Sequence, residues 1–303
     1  MTQRALVLIA NPASGRGRGR GLLAAAESAL RAAGPVEVRV STGPGDEVRL
    51  AGEAAATGVT SIAVLGGDGT WGNVAHGLMD ATPGATAADR PRLVLLAAGT
   101  GNDFATSLGA PAGDFAAMVA LAAAGTGRQV DVGLVNGRHF LNCLGFGFDA
   151  AVVERSRDVR WLRGHPVYVA TAVALLFGYP GLQVAEGGGA MRRRLMYAFA
   201  NGRRVGGGFP IAPRASVTDG VLDRVVVTDA GPLGRARILA KARAGQHEGE
   251  PEIVMDTGRA WRLRFEEPPL YQVDGELERA TSPEVEVRCL PGALRVVAPA
   301  GAR

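Results

Sequence analysis

Through the first part of the chain, short apolar runs alternate with longer amphipathic ones. Residues 5–9, 36–40, 62–65 and 93–97 have the length and apolar density of strands. Between and after them, 21–33, 46–57, 71–79, 102–108 and 114–124 read as helices. Strands alternating with helices at this spacing indicate a parallel sheet covered on both faces. After residue 135 the rhythm changes. Strands follow strands at 138–144, 192–200, 224–228, 252–255, 260–265, 270–273, 285–288 and 293–297, with helices only at 166–177 and 233–244. That pattern predicts an antiparallel sandwich or barrel. The expected division is residues 1–134 and 135–303.

The turns between the early elements carry the chemistry. Gly66-Gly67-Asp68-Gly69-Thr70 and Gly99-Thr100-Gly101-Asn102-Asp103-Phe104 each follow a strand and open a helix. Glycine lets backbone N–H groups turn toward anionic oxygens, and the helix start adds partial positive charge. Asn11-Pro12-Ala13-Ser14-Gly15-Arg16-Gly17 occupies the same kind of position after the first strand, without the Gly-Lys-Ser/Thr ending of a Walker A loop. In open α/β sheets ligands bind beyond the carboxyl ends of the strands, so Asn11, Asp68 and Asp103 are expected in one crevice. Nucleotide phosphates are expected on Asn11, Ser14, Gly67, Gly69, Thr70 and Thr100, with Asn73 a turn further on and Arg16 supplying a cation.

Asp68 is placed to reach Mg²⁺ directly or through water, and Asp103 to ligate it or cap its helix. Asp131, a lone acid in Gln129-Val130-Asp131-Val132-Gly133, is costly in a strand unless paired or near a cation. It is expected to join Asp68 and Asp103 in one carboxylate–magnesium network. Asp274-Gly275-Glu276 by itself reads as a hairpin turn.

Composition changes this picture little. The 33 Lys+Arg residues include one lysine, Lys241, and the net charge of +4 tolerates an anionic substrate or membrane surface without requiring either. Two cysteines without C-x-x-C spacing and four scattered histidines suggest neither a disulfide framework nor a zinc site. Glycines and prolines interrupt the longest uncharged stretch, 165–186, which reads as a buried helix and not a membrane span. The first apolar run is too short for a signal peptide, so a cytoplasmic protein is expected.

Taken in order, these segments resemble the diacylglycerol kinase/sphingosine kinase superfamily, in its bacterial soluble lipid-kinase branch. The further matching segments are Gly145-Phe146-Gly147-Phe148-Asp149, Asn201-Gly202 with Gly206-Gly207-Gly208, Asp219-Gly220-Val221-Leu222-Asp223 and Asp274-Gly275-Glu276. The resemblance implies a phosphofructokinase-like α/β nucleotide domain, a β-sandwich lipid-binding domain, and a cleft between them. It implies ATP and Mg²⁺ as cofactors and a lipid hydroxyl as phosphate acceptor, from diacylglycerol or a related lipid alcohol. Asp274 would be the catalytic acid/base with Glu276 assisting. Asp68, Asp103 and Asp131 would organise the active-site magnesium, and Ser216, Asp219 and Val221 a second, structural cation.

The family often carries arginine where Thr106 stands here. No nucleic-acid partner is implied; transient contact with the inner membrane face and a homodimer are compatible. Arg155, Arg157, Arg160, Trp161 and Arg163 form a candidate basic–aromatic membrane edge, which equally reads as a solvated turn before a core helix. Two other functions stay open: an NAD-kinase-like enzyme sharing Gly-Gly-Asp-Gly, and a non-catalytic lipid-binding regulator of the same fold.

Overall fold

The computed structural model describes residues 6–156 and 165–300. Its first half alternates β1 (Leu6–Ala10), α1 (Ser14–Arg31), β2 (Val36–Val40), α2 (Asp46–Ala56), β3 (Ser61–Gly66), α3 (Asp68–Ala81), β4 (Arg92–Ala97), α4 (Asp103–Ser107) and α5 (Phe115–Ala124). The four strands pair in parallel in the order β4-β3-β1-β2. β3 and most of β4 are buried, which explains their unbroken apolar runs. α1 packs with α5, and α2 with α3, so both faces of the sheet are covered.

The second half comprises β5 (Thr126–Val135), β6 (Arg138–Phe140), β7 (Cys143–Gly147), α6 (Phe148–Ser156), α7 (His165–Leu175), β8 (Leu182–Glu186), β9 (Arg192–Ala200), β10 (Leu222–Thr228), α8 (Pro232–Arg243), β11 (Ile253–Gly258), β12 (Ala260–Phe265), β13 (Leu270–Val273), β14 (Glu276–Arg279) and β15 (Glu284–Ala298). Its strand pairs are antiparallel. Two cores serve it. One gathers Phe146, Tyr197, Phe199 and Phe265. The other lies between β9–β10 and the helices and includes Phe148, Leu176, Ile211 and Ile238.

Two expected strands change form for visible reasons. The run 138–144 is split into β6 and β7, because the amides of Leu141 and Asn142 turn out of the sheet to bind the Asp274 carboxylate. The runs 285–288 and 293–297 are one strand, β15, whose register shifts between Leu290 and Leu294. Val285 and Val287 belong to the sandwich core, whereas Leu294 and Val296 belong to the α/β core. β15 pairs with β4 at Val296 and with β5 along its length, so the last strand ties the two halves together.

α3 also meets β6 across the seam, where the Nδ1 atoms of His76 and His139 lie 3.2 Å apart. Burial, then the neighbouring His76 charge, pushes the His139 imidazole down to about 4; Arg90 and Arg138 add to this and Asp80 opposes it. The unfolded chain therefore binds a proton on His139 near pH 6.5 that the folded chain refuses until about pH 4. This contribution to stability is present above pH 6.5 and falls away as pH drops toward 4. Thermal unfolding of wild type and His139→Gln from pH 8 to pH 4.5 is expected to give a shallower acid decline in the variant; parallel curves would refute the assignment.

No described helix is long and apolar enough to cross a membrane. Of the candidate basic–aromatic edge, Arg157, Arg160, Trp161 and Arg163 lie outside the described residues.

Candidate active site

Three turns at the carboxyl ends of β1, β3 and β4 close on one another. Asn11 donates through Nδ2 to the Thr70 hydroxyl at 3.1 Å, joining the first turn to the second. Gly15 sits at φ +57°, and a Cβ there would collide with the Ala98 carbonyl oxygen. Gly67 and Gly99 pack backbone against backbone, with no room for a side chain on Gly99. The third turn is closed by Asn102, whose amide accepts from Gly99 N at 3.1 Å and donates to Gly99 O at 3.1 Å. Glycine is needed here because the chain itself fills the space that side chains would take.

The cleft left between these turns is lined by Asn11, Ser14, Gly15, Gly67, Asp68, Gly69, Thr70 and Thr100. The Ser14 hydroxyl is buried with no hydrogen-bond partner, a polar atom suited to an anionic oxygen.

Asp68 and Asp103 come together as expected. The Asp68 carboxylate accepts from Asp103 N at 3.1 Å and Phe104 N at 3.0 Å, so it caps α4 from a distance. Asp103 accepts from Gly207 N at 2.7 Å, which draws the triple-glycine loop over the site. Burial first, then the adjacent Asp103 charge, pushes Asp68 up to about 7. A divalent cation beside the pair would offset that repulsion, and magnesium needs only one or two carboxylates when water and phosphate complete its shell. Among the described residues no group of three or more His, Cys, Asp or Glu side chains is arranged to hold a metal alone.

Asp274 also reaches the cleft, but its carboxylate is occupied. Oδ1 accepts from Asn142 N at 2.8 Å and Cys143 N at 3.0 Å, and Oδ2 from Leu141 N at 2.8 Å. Its backbone is left-handed, with φ 50°. Burial raises its pKa, and the three N–H groups pull it back. This geometry holds the Asp274 carboxylate in place, with backbone donors on both of its oxygens. Glu276 is exposed and also lines the cleft, where a Cβ on Gly69 would lie 3.0 Å from its Oε1.

Other expected site residues lie elsewhere. Asn73 sits on the far side of α3, donating to Glu47 Oε2 at 3.4 Å and accepting from Arg138. It faces the domain seam because it lies five positions beyond Asp68, too far round the helix to share the cleft. Arg16 is exposed on a left-handed turn, while Ala13, Ser14 and Gly15 form the cleft wall.

Asp131 does not join Asp68 and Asp103. Its oxygens accept from Gly220 N and Gly292 N, both at 2.7 Å, so it staples the β9–β10 connection to the bend in β15. Asp219 lies within electrostatic reach of it and accepts from Val221 N at 3.2 Å. Ser216 Oγ lies 3.3 Å from the Thr218 hydroxyl, in the same connection.

The cleft continues from the polar turns into an apolar cavity of about 490 Å³ in total. Its inner wall is built by Phe148, Val152, Leu176, Leu195, Phe209, Ile238 and Ile253, drawn from α6, the residue after α7, α8, the β9–β10 connection and the sheet. Sequence reasoning named only Phe148 of these, as part of a matching segment, and gave it no place in a cavity. Each reads as ordinary core, and only the fold leaves space between them. Asp149 stands where polar and apolar parts meet, accepting from Gln272 Nε2 at 2.8 Å.

Residues 5–135 match the family model of the diacylglycerol kinase catalytic domain, and 142–298 match the YegS C-terminal NAD kinase beta sandwich-like domain. A protein of Pseudomonas aeruginosa strain UCBPP-PA14 named "Probable lipid kinase YegS-like" is 32% identical over 299 residues, covering 95% of this chain and 93% of that one. The chain belongs to the diacylglycerol kinase-like lipid kinases. That family consists of phosphotransferases with an alcohol group as acceptor. A Bacillus subtilis strain 168 protein named "Diacylglycerol kinase" is 29% identical over 280 residues, covering 89% of this chain and 88% of that one. Among solved structures, a diacylglycerol kinase from Bacillus anthracis str. Sterne superimposes with a TM-score of 0.72 at 23% identity, covering 99% of this chain and 98% of that one. The fold expectation therefore holds: this lipid kinase has an α/β domain with a parallel sheet and a β-sandwich domain.

Proposed function

We propose that this lipid kinase transfers the γ-phosphate of ATP, with Mg²⁺, to the hydroxyl of diacylglycerol or a related lipid alcohol drawn from a membrane surface. The observation that carries the reading is continuity: one cavity is lined both by the glycine-rich polar turns and by apolar side chains, with Asp149 and Glu276 also in its lining. Charged phosphates suit the first and acyl chains the second.

In this reading the Ser14 hydroxyl and the N–H groups of Gly67, Gly69, Thr70 and Thr100 bind phosphate oxygens. Asp68 and Asp103 would hold Mg²⁺, which when bound offsets the charge on the phosphoryl group in flight. Glu276 takes the proton of the acceptor hydroxyl as the new bond to phosphorus forms. Asp274 holds the hairpin that carries Glu276.

Incubation of the pure protein with γ-labelled ATP, Mg²⁺ and a total lipid extract, with NAD offered in parallel, tests this. Label is expected in an organic-phase product identifiable by mass spectrometry, and chelation of the metal is expected to abolish it. Label appearing only on NAD, or in neither acceptor, would refute the proposal.

A further inference from the structure

Away from the cleft, a second cavity of about 570 Å³ lies at the domain seam, and a chain of charged and polar groups, buried except for the half-buried Glu278, crosses it. Arg138 on β6 is its centre and is 9% exposed. Its Nη2 donates to Asn73 Oδ1 on α3, and its guanidinium forms an ion pair with Glu278 on β14, Nε lying 2.8 Å from Oε1 but turned away from hydrogen-bond alignment. The chain extends at both ends. Asn73 donates to Glu47, itself 1% exposed, and Glu278 Oε2 accepts from the Tyr271 hydroxyl at 3.0 Å.

Both ends of this bracket bear on the site. α3 begins at Asp68, so Asn73 is little more than one turn from the phosphate-binding start of the helix. Glu278 lies two residues beyond Glu276 on β14, so the two side chains leave the strand on the same face. The helix and the hairpin then run side by side. Gly69 lies under Glu276, and Gly72 under Asp274, where a Cβ would collide with Oδ2. A guanidinium can donate from one edge to an element while its charge pairs with a second, bridging the two, which the single point charge of a lysine does less well.

We propose that Arg138 is a positioning residue of the phosphoryl transfer, holding the β13–β14 hairpin against α3 so that Glu276 stands at the correct height over the phosphate turn. This rests on the kinase reading above for its activity readout, and on structure alone for its second readout. Near-attack geometry is demanding, and a shift of about 1 Å can lower a rate by about 100-fold.

The test uses the full chain with Arg138→Gln, Arg138→Lys and Glu278→Gln. Arg138→Gln is expected to lower kcat by about 10- to 100-fold with KM for ATP changed less than about 3-fold, and Arg138→Lys to recover only part of it. The double variant Arg138→Gln/Glu278→Gln is expected to lose no more than the worse single variant, because one link has already been cut. Amide hydrogen exchange over 270–279, read without substrate, is expected to quicken in Arg138→Gln while 61–66 stays protected. Should Arg138→Gln fail to fold, Glu278→Gln carries both readouts. Unchanged kcat in a folded variant, or hairpin exchange equal to wild type, would overturn the proposal. Absence of lipid phosphorylation by the wild type would instead count against the kinase reading, with the exchange experiment still deciding the bracket.

Discussion

Glu276→Gln is expected to lower kcat by about 10²- to 10⁴-fold while leaving the melting temperature close to wild type. The amide keeps the size of the side chain and removes its ability to take a proton. Glu276 is exposed, so replacing its carboxylate by an amide of the same size leaves the core packing untouched. KM for ATP should move little, because the proposed phosphate donors are backbone N–H groups and hydroxyls and not Glu276. Initial rates over a range of ATP and lipid concentrations, beside a thermal melt, measure each part. Wild-type kcat in the variant would remove Glu276 from the proton-accepting role.

Asp274→Asn is expected to fail differently, losing stability and activity together. Three backbone N–H groups converge on its carboxylate, from Leu141, Asn142 and Cys143. Asparagine has one acceptor oxygen, and its NH₂ must then face at least one backbone donor. A buried donor left without a partner costs about 1–3 kcal/mol, and more where a charge is involved. The backbone is not the cause, because asparagine tolerates the left-handed conformation at φ 50°. Slackening of the hairpin then displaces Glu276, so a fall in kcat of about 100-fold should accompany the lower melting temperature. An unchanged melting temperature with activity abolished, alongside an active Glu276→Gln, would reverse the assignment and make Asp274 the base.

The burial of the acids gives these roles their logic. A carboxylate that accepts three N–H bonds is held in place, which is what a clasp requires and what a proton shuttle avoids. Asp68 does similar double duty: it caps α4 through Phe104 N while sitting beside Asp103 at the phosphate turns. Cys143 is buried and its thiol is pushed well up by burial and the nearby Asp149 and Asp274 charges, which favours the unreactive thiol form.

The α/β half of the fold was readable from the amino-acid order because its signals are local. An apolar run, a glycine turn and an amphipathic helix repeat within a few dozen residues, and each repeat dictates one parallel strand and its crossover. For the same reason the meeting of Asn11, Ser14, Asp68, Thr70, Thr100 and Asp103 could be foreseen: all stand at equivalent strand ends. The sandwich was readable as strands but not as pairings. β14 was hidden because Glu276-Leu277-Glu278-Arg279 has the polarity of a loop and becomes a strand only beside β13.

Residues far apart in the chain were settled by tertiary structure alone. Asp131 has the same local signature as a metal-binding acid, yet its oxygens are taken by Gly220 and Gly292, whose approach no spacing predicts. Asn73 left the cleft because helix rotation, not distance along the chain, sets which face it shows. Arg138 carried no signal beside a strand start, since its two partners come from α3 and β14. The linear order thus determined which glycine turns meet at the cleft, because backbone conformation is a local property. That the Asp274 carboxylate is taken by Leu141, Asn142 and Cys143 depended on long-range hydrogen bonds, and these exist only once the domains have packed.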